Sequence, residues 1–505
     1  MTDFGQVAQG MFEKTPMNTK FSQPKVHSNL KKWHTDKTDL TTDEIEAWIQ
    51  KHQSEIVPEL DDLWHYYKAE NTTILGRSPT DPATPHNNTP IGYGRKIVTT
   101  FTGYAYRPHY ITYKVGGAES SQQFVDELLT TFDYNAEHIK TSRSGRNTAI
   151  FGVAYELMYI EGVNTNNPIF PTRAEPRFVN ADPRNIILLY DYSPETEKVI
   201  GIRYYQKSAT KWRVELYLPN EVRVYERVKN EQLGGKWRYD QIGDYPNFYG
   251  AVPIVAYYMG EEMLGVIRPV RTLIDDYDLL VSDSIVEFDR FANAYLRLVG
   301  MTLGQDSTDN KKGLNRMIQV LKEKRIFNRL QDKDDVTFLT KDIPSEFIAF
   351  MSKLIRDEIH KQSHVPDFTE LATGGDLSGA AIQRLMFDFE NLVSSAEGDF
   401  DLGLEDRIRM IAHIYEIGRR GVPGGPEDVT IQHKRNVPLD TTEYAQTSVA
   451  MKQAGFSRYL IASIWPDDII PDVDEEIARQ DAEAQAMFAD LDTMDIEDNA
   501  EPTEA

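Results

Sequence analysis

One stretch constrains this chain more than any other. From Ser378 to Gly418 apolar residues recur at the three-and-four spacing of an α-helix: Ile382, Leu385, Phe389, Leu392, Ala396, Phe400, Leu404, Ile408, Ile411 and Tyr415. Such a helix spans roughly 60 Å at about 1.5 Å per residue, with Gly398 and Gly403 placed where it would bend. Few single-chain cores need a rod of that length, so the stripe points to packing beyond one copy.

The 505 residues, 40% hydrophobic and 11% aromatic, suffice for two or more domains. With no cysteine, disulfides, thiolate metal sites and cysteine nucleophiles are excluded. No window reaches the ~18 to 20 apolar residues of a membrane span. The opening MTDFGQVAQGMFEKTP lacks a signal-peptide pattern, so a soluble, unprocessed chain with no membrane partner is expected. A formal charge of −24 repels phosphate and argues against tight DNA binding. Weak sliding contact is a different matter, because counterion release cannot hold a polyanion to an acidic wall.

Along the chain, residues 1 to about 40 lack periodicity and read as a partly disordered arm. Two short helices fit 41–70, broken at Pro58, and 77–90 reads as a loop. A β-prone run from Tyr104 to Val115 precedes helices from Ser120 to Phe132 and from Tyr134 to Ile150. Short period-two runs then predict an antiparallel sheet region from Ala154 to Ile242, giving way to helices after Pro253. A long helix is expected over 261–295, with Pro269 near its start. A small, basic αβ insertion occupies 296–341, with strands at Tyr295 to Val299 and Val336 to Leu339. A second helix runs from Pro344 to Lys361, and a glycine-bearing loop separates it from the long rod. Beyond the rod come a strand, Val429 to Lys434, capped helices at Thr441 to Ala454 and Arg458 to Ile464, a charged helix over 472–491, and an acidic tail, 492–505.

Motifs for catalysis are weak. His360 and His364 have the i, i+4 spacing of paired metal ligands, but no Glu general base follows the first, and histidines near a helix end are commonly surface or capping groups. Gly92-Tyr93-Gly94 reads as a turn, and neither a phosphate-loop nor a Gly-x-Ser-x-Gly pattern occurs. Neighbouring acids such as Asp275-Asp276 diverge on a helix. No cofactor and no metal is expected.

Three stretches carry a resemblance. GAVPIVAYYMGEEMLGVIRPVRTLIDDYDLLVSDSIVEFDRF at 250–291, VPDFTELATGGDLSGAAIQRLMFDFENL at 365–392 and RNVPLDTTEYAQTSVAMKQAG at 435–455 with PDVDEEIARQDAE at 471–483 resemble, in that order, the stem entry, tunnel region and crown of the tailed-phage portal family. The likeness is to portals of long-tailed siphophages of Gram-positive hosts, and it covers roughly 150–485. It implies an α+β fold with a predominantly helical core, forming a ring: wing at 41–260, first stem helix at 261–295, clip at 296–341, second stem helix at 342–363, tunnel loop at 364–377, bent tunnel helix with return to the wing at 378–434, and crown at 435–491.

The same resemblance implies a homo-oligomeric ring of twelve subunits at one capsid vertex of the virion, made in the host cytoplasm. It would pass double-stranded DNA by weak, non-specific contact. Major capsid and scaffolding proteins, the terminase large subunit and a head-completion adaptor would be its partners. Asp275, Asp278, Asp283 and Glu287 would then form an acidic channel face, against the plainer reading of solvated carboxylates. Lys311, Lys312, Arg316, Lys322, Lys324, Arg325 and Arg329 would dock an acidic partner at the clip; contact with phosphates or an ordinary solvated face are the alternatives. Asp367, Thr369, Glu370, Thr373, Gly374, Gly375 and Asp376 would form the tunnel loop. The rival is an acidic Mg-dependent phage enzyme acting on nucleic acid, which needs converging acids that spacing does not supply.

Overall fold

The computed structural model describes residues 31–78, 86–116, 121–164, 172–230, 236–292, 295–299, 335–339, 345–368, 386–418, 422–435, 441–465, 469–470 and 473–483. The chain divides into two units, one of residues 1–368 and 388–435, the other of 369–387 and 436–505.

The first unit opens with β1 (Trp33–His34), α1 (Thr42–Glu55), α2 (Val57–Lys68) and the single turn α3 (Thr72–Leu75). A capping box at Thr41 with Glu44 starts α1, and Pro58 sits in the first turn of α2, where its missing N–H costs nothing. Ile45 and Ile49 of α1 and Leu60, Leu63 and Tyr66 of α2 are buried at helical spacing. Next come α4 (Tyr93–Ala105), β2 (Ile111–Val115), α5 (Gln122–Asn135) and α6 (Glu137–Phe151). Gly92-Tyr93-Gly94 is therefore the entry to a helix rather than a turn. A Cβ on Gly94 would stand 2.8 Å from the Tyr66 carbonyl oxygen, so glycine there lets α4 approach α2. Tyr104 likewise belongs to the end of α4, leaving only 111–115 of the β-prone run as strand.

Two sheets follow. Strands β3 (Val153–Asn164), β4 (Thr172–Ala181), β5 (Ile186–Tyr190), β6 (Lys198–Ser208), β7 (Lys211–Tyr217), β8 (Glu221–Asn230), β9 (Lys236–Pro246) and β10 (Ile254–Tyr258) are arranged as β1-β5-β6-β7-β8-β9 and β10-β3-β4. All pairs are antiparallel except β1 on β5. Strand β10 was not expected: Ile254 to Tyr258 is a nearly continuous apolar run beyond the last alternating segment, and it pairs with β3 instead of leading into a helix. Leu157, Ile186, Leu188, Tyr217, Val252 and Ile254 form the core that joins the sheets. Gly152, at φ +83°, turns α6 into β3 where a Cβ would fall 1.9 Å from the Met263 carbonyl oxygen, so no side chain fits.

Helices α7 (Arg271–Ala292) and α8 (Ser345–Ser363) flank in sequence the strands β11 (Tyr295–Val299) and β12 (Asp335–Leu339), which pair antiparallel. The first long helix thus begins ten residues later than expected. Val266 N donates to the Ala149 carbonyl (2.9 Å), and a Cβ on Gly265 would meet the carbonyls of Ala149 and Ile150, so 263–267 is held as connecting chain against α6. The 3-10 turn Arg268–Val270, with Pro269, leads into α7.

The rod α9 (Phe387–Ile417) is 31 residues long and unbroken through both glycines. Residues 378–385 of the expected helix lie outside the described residues. Strand β13 (Val429–His433) returns to pair with β2.

In the second unit, α10 (Thr441–Gln453) stops at Gly455 (φ +85°), and Ser457 caps α11 (Arg458–Ser463) by accepting from Leu460 N at 3.2 Å. The Trp465 ring lies tilted against Tyr444, 5.7 Å between centroids, and donates to Ser448 Oγ at 2.9 Å.

Candidate functional site

The acidic helix α7 does not present all its carboxylates to solvent. Asp278 is fully buried: Ile91 N donates to Oδ1 at 2.8 Å and Asn71 Nδ2 to Oδ2 at 2.5 Å. Burial lifts its pKa to about 6 against those two hydrogen bonds. Asp275 accepts from Tyr66 Oη and, at 3.2 Å, from Thr73 Oγ1, and burial raises its pKa as well. One turn on, Thr89 N donates to the buried Ser282 Oγ at 3.0 Å. These polar groups staple α3 and the extended segment 86–91 to α7. The expectation of an open acidic face is thereby corrected for Asp275 and Asp278, whose side chains have protein partners on the inner side. Asp283 pairs with Arg77 at 2.7 Å and is half-exposed, and Glu287 is partly exposed one turn further along.

Among the side chains the helix pair leaves uncovered, several are large and apolar. Phe288 on α7 and Phe347 and Phe350 on α8 are 65%, 59% and 62% exposed, with Ile285 and Leu354 beside them in sequence phase also exposed. Inward, Ile274 and Val286 of α7 and Ile359 of α8 are buried. A helix pair with apolar residues both inside and outside has more greasy surface than one chain covers.

The rod is fixed by a buried ionic centre. Arg407 is fully buried and donates to Glu137 Oε1 (2.8 Å), Tyr113 Oη (2.8 Å) and Thr141 Oγ1 (2.9 Å), with Glu156 Oε2 at 3.4 Å. Tyr257 Oη donates to Glu156 at 2.7 Å, and the guanidinium lies over Phe178 at 4.8 Å. Six elements, α9, α6, β2, β3, β4 and β10, meet at that one centre. Sequence reading missed it, although a signal exists. Arg407 falls on the apolar phase of the rod beside Leu404, Ile408 and Ile411, and Glu156 alternates in phase with the buried Ala154 and Met158. Charges on an interior phase must be paired.

A second cluster holds the return strand. Arg435 donates to Glu390 Oε1 (2.7 Å) and to both oxygens of Glu397 (2.5 and 2.6 Å). His433 contacts Asp401 (2.8 Å) and Glu397 (3.2 Å). Burial opposes the charge on His433, but Asp401 and Glu397 outweigh it and hold its pKa at about 9. Tyr104 Oη donates to Glu390 at 2.6 Å, tying α4 to the same group.

At the other end of α4, Lys96 Nζ donates to Asp367 Oδ1 at 2.9 Å, while His360 sits 3.4 Å from Oδ2 and has Nδ1 at 2.9 Å from the Val365 carbonyl. Asp367, first of the loop candidates, is therefore held between Lys96 and His360. Thr369, Glu370, Thr373, Gly374, Gly375 and Asp376 lie outside the described residues, as do Lys311, Lys312, Arg316, Lys322, Lys324, Arg325 and Arg329. His364 follows the last residue of its helix and is exposed, at φ +56°, whereas His360 is half-buried against Asp367. Among the described residues no group of three His, Asp or Glu side chains is arranged so that it could hold a metal ion, and no helix is long and apolar enough to cross a membrane.

The family of phage portal proteins described as SPP1 Gp6-like matches residues 46–487. The portal protein of Bacillus phage SPP1 is 22% identical over 392 residues, covering 75% of this chain and 76% of that protein. Among solved structures, the neck of an empty GTA particle computed with C6 symmetry (TM-score 0.42, 12% identity, 73% of this chain and 89% of that chain) is similar. So is the virion of a native gene transfer agent particle (TM-score 0.40, 12% identity, 79% and 93%). The class is a phage portal, a structural rather than an enzymatic kind of protein. Within it, the chain belongs to the SPP1 Gp6-like phage portal family.

Proposed function

We propose that copies of this chain close head to tail into a ring of twelve at one capsid vertex, and that the genome enters and leaves through its bore. The observation that carries this reading is the uncovered apolar face of the α7/α8 pair, Phe288, Phe347 and Phe350 above all. Burying one phenylalanine contributes about 1.5–3 kcal/mol, so three such side chains per copy favour a permanent neighbour. Heterologous contact is the geometry that closes into a ring with a channel.

On this reading α7 and α8 are the stem, 296–341 the clip, 364–377 the tunnel loop and 435–491 the crown. The wing at 41–260 faces outward, toward capsid and scaffolding proteins. Asp283 and Glu287 remain the acidic contribution of α7 to the channel wall, and the strongly negative chain keeps passing DNA from adhering. The clip lysines and arginines dock the terminase large subunit first and a head-completion adaptor later. Asp367, held by Lys96, is the fixed foot from which the tunnel loop reaches the DNA. Replacing Phe347 and Phe350 by Asp tests the carrying observation: the variant should keep its circular dichroism spectrum yet lose the oligomer in size-exclusion chromatography. An unchanged oligomer would place the subunit contact elsewhere.

A further inference from the structure

The six-stranded sheet ends in two unlike edges. At one, β1 adds parallel to β5, with Trp33 wedged against Trp48 (5.3 Å) and His52 (5.9 Å) and Lys51 Nζ 5.0 Å over its ring. The chain before Trp33 therefore leaves from this edge. At the other, β9 has an outer side that no strand among the described residues pairs, and Ile242, Tyr245 and Phe248 are exposed along and just past it. An open edge of this length is a template for another strand. Five strand spacings of about 4.8 Å put the two edges roughly 24 Å apart. In a head-to-tail assembly, unlike edges of neighbouring copies face each other.

Length and charge together point to what could fill the edge. Residues 1–30 carry Lys14, Lys20 and Lys25 against Asp3 and Glu13, a net of +1, so the rest holds −25 of the total −24. A segment of slight positive charge is attracted to another copy of an otherwise acidic protein. Duplex DNA would also attract the segment, but it leaves the β9 edge unexplained. Thirty extended residues reach about 100 Å, well beyond the span to a neighbour.

We propose that residues 1–30 of one copy pair as an added strand with the β9 edge of the next copy, so that the ring is laced by strand addition between subunits. The proposal rests on the ring reading above. To test it, p-benzoylphenylalanine in place of Ile242 is photolysed in the assembled full-length protein, and the products are run on a denaturing gel and mapped by mass spectrometry. A ladder of multimers joined through peptides of 1–30, lost when 1–30 is deleted, is the expected result. Crosslinks within one copy, which would mean its own arm fills the edge, or crosslinks to another segment, or none, overturn the proposal. Light scattering on the same sample separates the two failures: a ring without the ladder sinks strand addition alone, and a monomer sinks the ring reading with it.

Discussion

Arg407 enters a fully buried position with two carboxylates and no water-exposed face, so its charge is tolerable only as part of the whole cluster. Removing it by Arg407→Leu leaves Glu137 and Glu156 buried without a counter-ion. That variant should lose about 3–5 kcal/mol of stability in urea unfolding, and a loss under 1 kcal/mol would contradict the assignment. His433 behaves differently because it titrates. Its folded pKa of about 9 lies above the ordinary 6.5, so its stabilisation is full below pH 6.5 and is lost as pH rises through 9. The gap in melting temperature between wild type and His433→Gln should be widest near pH 6 and close above about pH 9. A gap independent of pH would remove the charge from the account.

At the scale of elements, the rod's two glycines do opposite things. A Cβ on Gly403 would lie 2.5 Å from the Tyr257 ring and 2.8 Å from the Ala256 carbonyl oxygen, so Gly403 marks close approach of α9 to β10. A Cβ on Gly398 meets nothing within 4 Å. Gly398→Ala should therefore stabilise by up to about 1 kcal/mol, and Gly403→Ala should destabilise by about 1–3 kcal/mol, both read by thermal unfolding. Helices with a long apolar period, α1, α2, α8 and α9, were legible because their cores face one side. Less legible were features set by tertiary approach. The delayed start of α7 depends on carbonyls of α6, the role of β10 on its pairing with β3, and the inward turn of Asp275 and Asp278 on partners some two hundred residues away in sequence. No local pattern encodes any of them. Of the candidate site, Asp367 was singled out in sequence, whereas its partner Lys96 and Arg407 and Arg435, which hold the frame, were invisible to motif reasoning because no motif contains them.

For the whole molecule, apolar residues on the outer side of α7 and α8 and a sheet edge that no strand among the described residues pairs are what a subunit completed by copies of itself would present. Belonging to the portal family agrees with that description, and the buried ionic centres give each copy a rigid frame on which a bore could be built. Multi-angle light scattering of the purified full-length chain tests this most directly. The account predicts a mass about twelve times the 57.8 kDa of one copy. A mass that stays at 57.8 kDa as concentration is raised would contradict it.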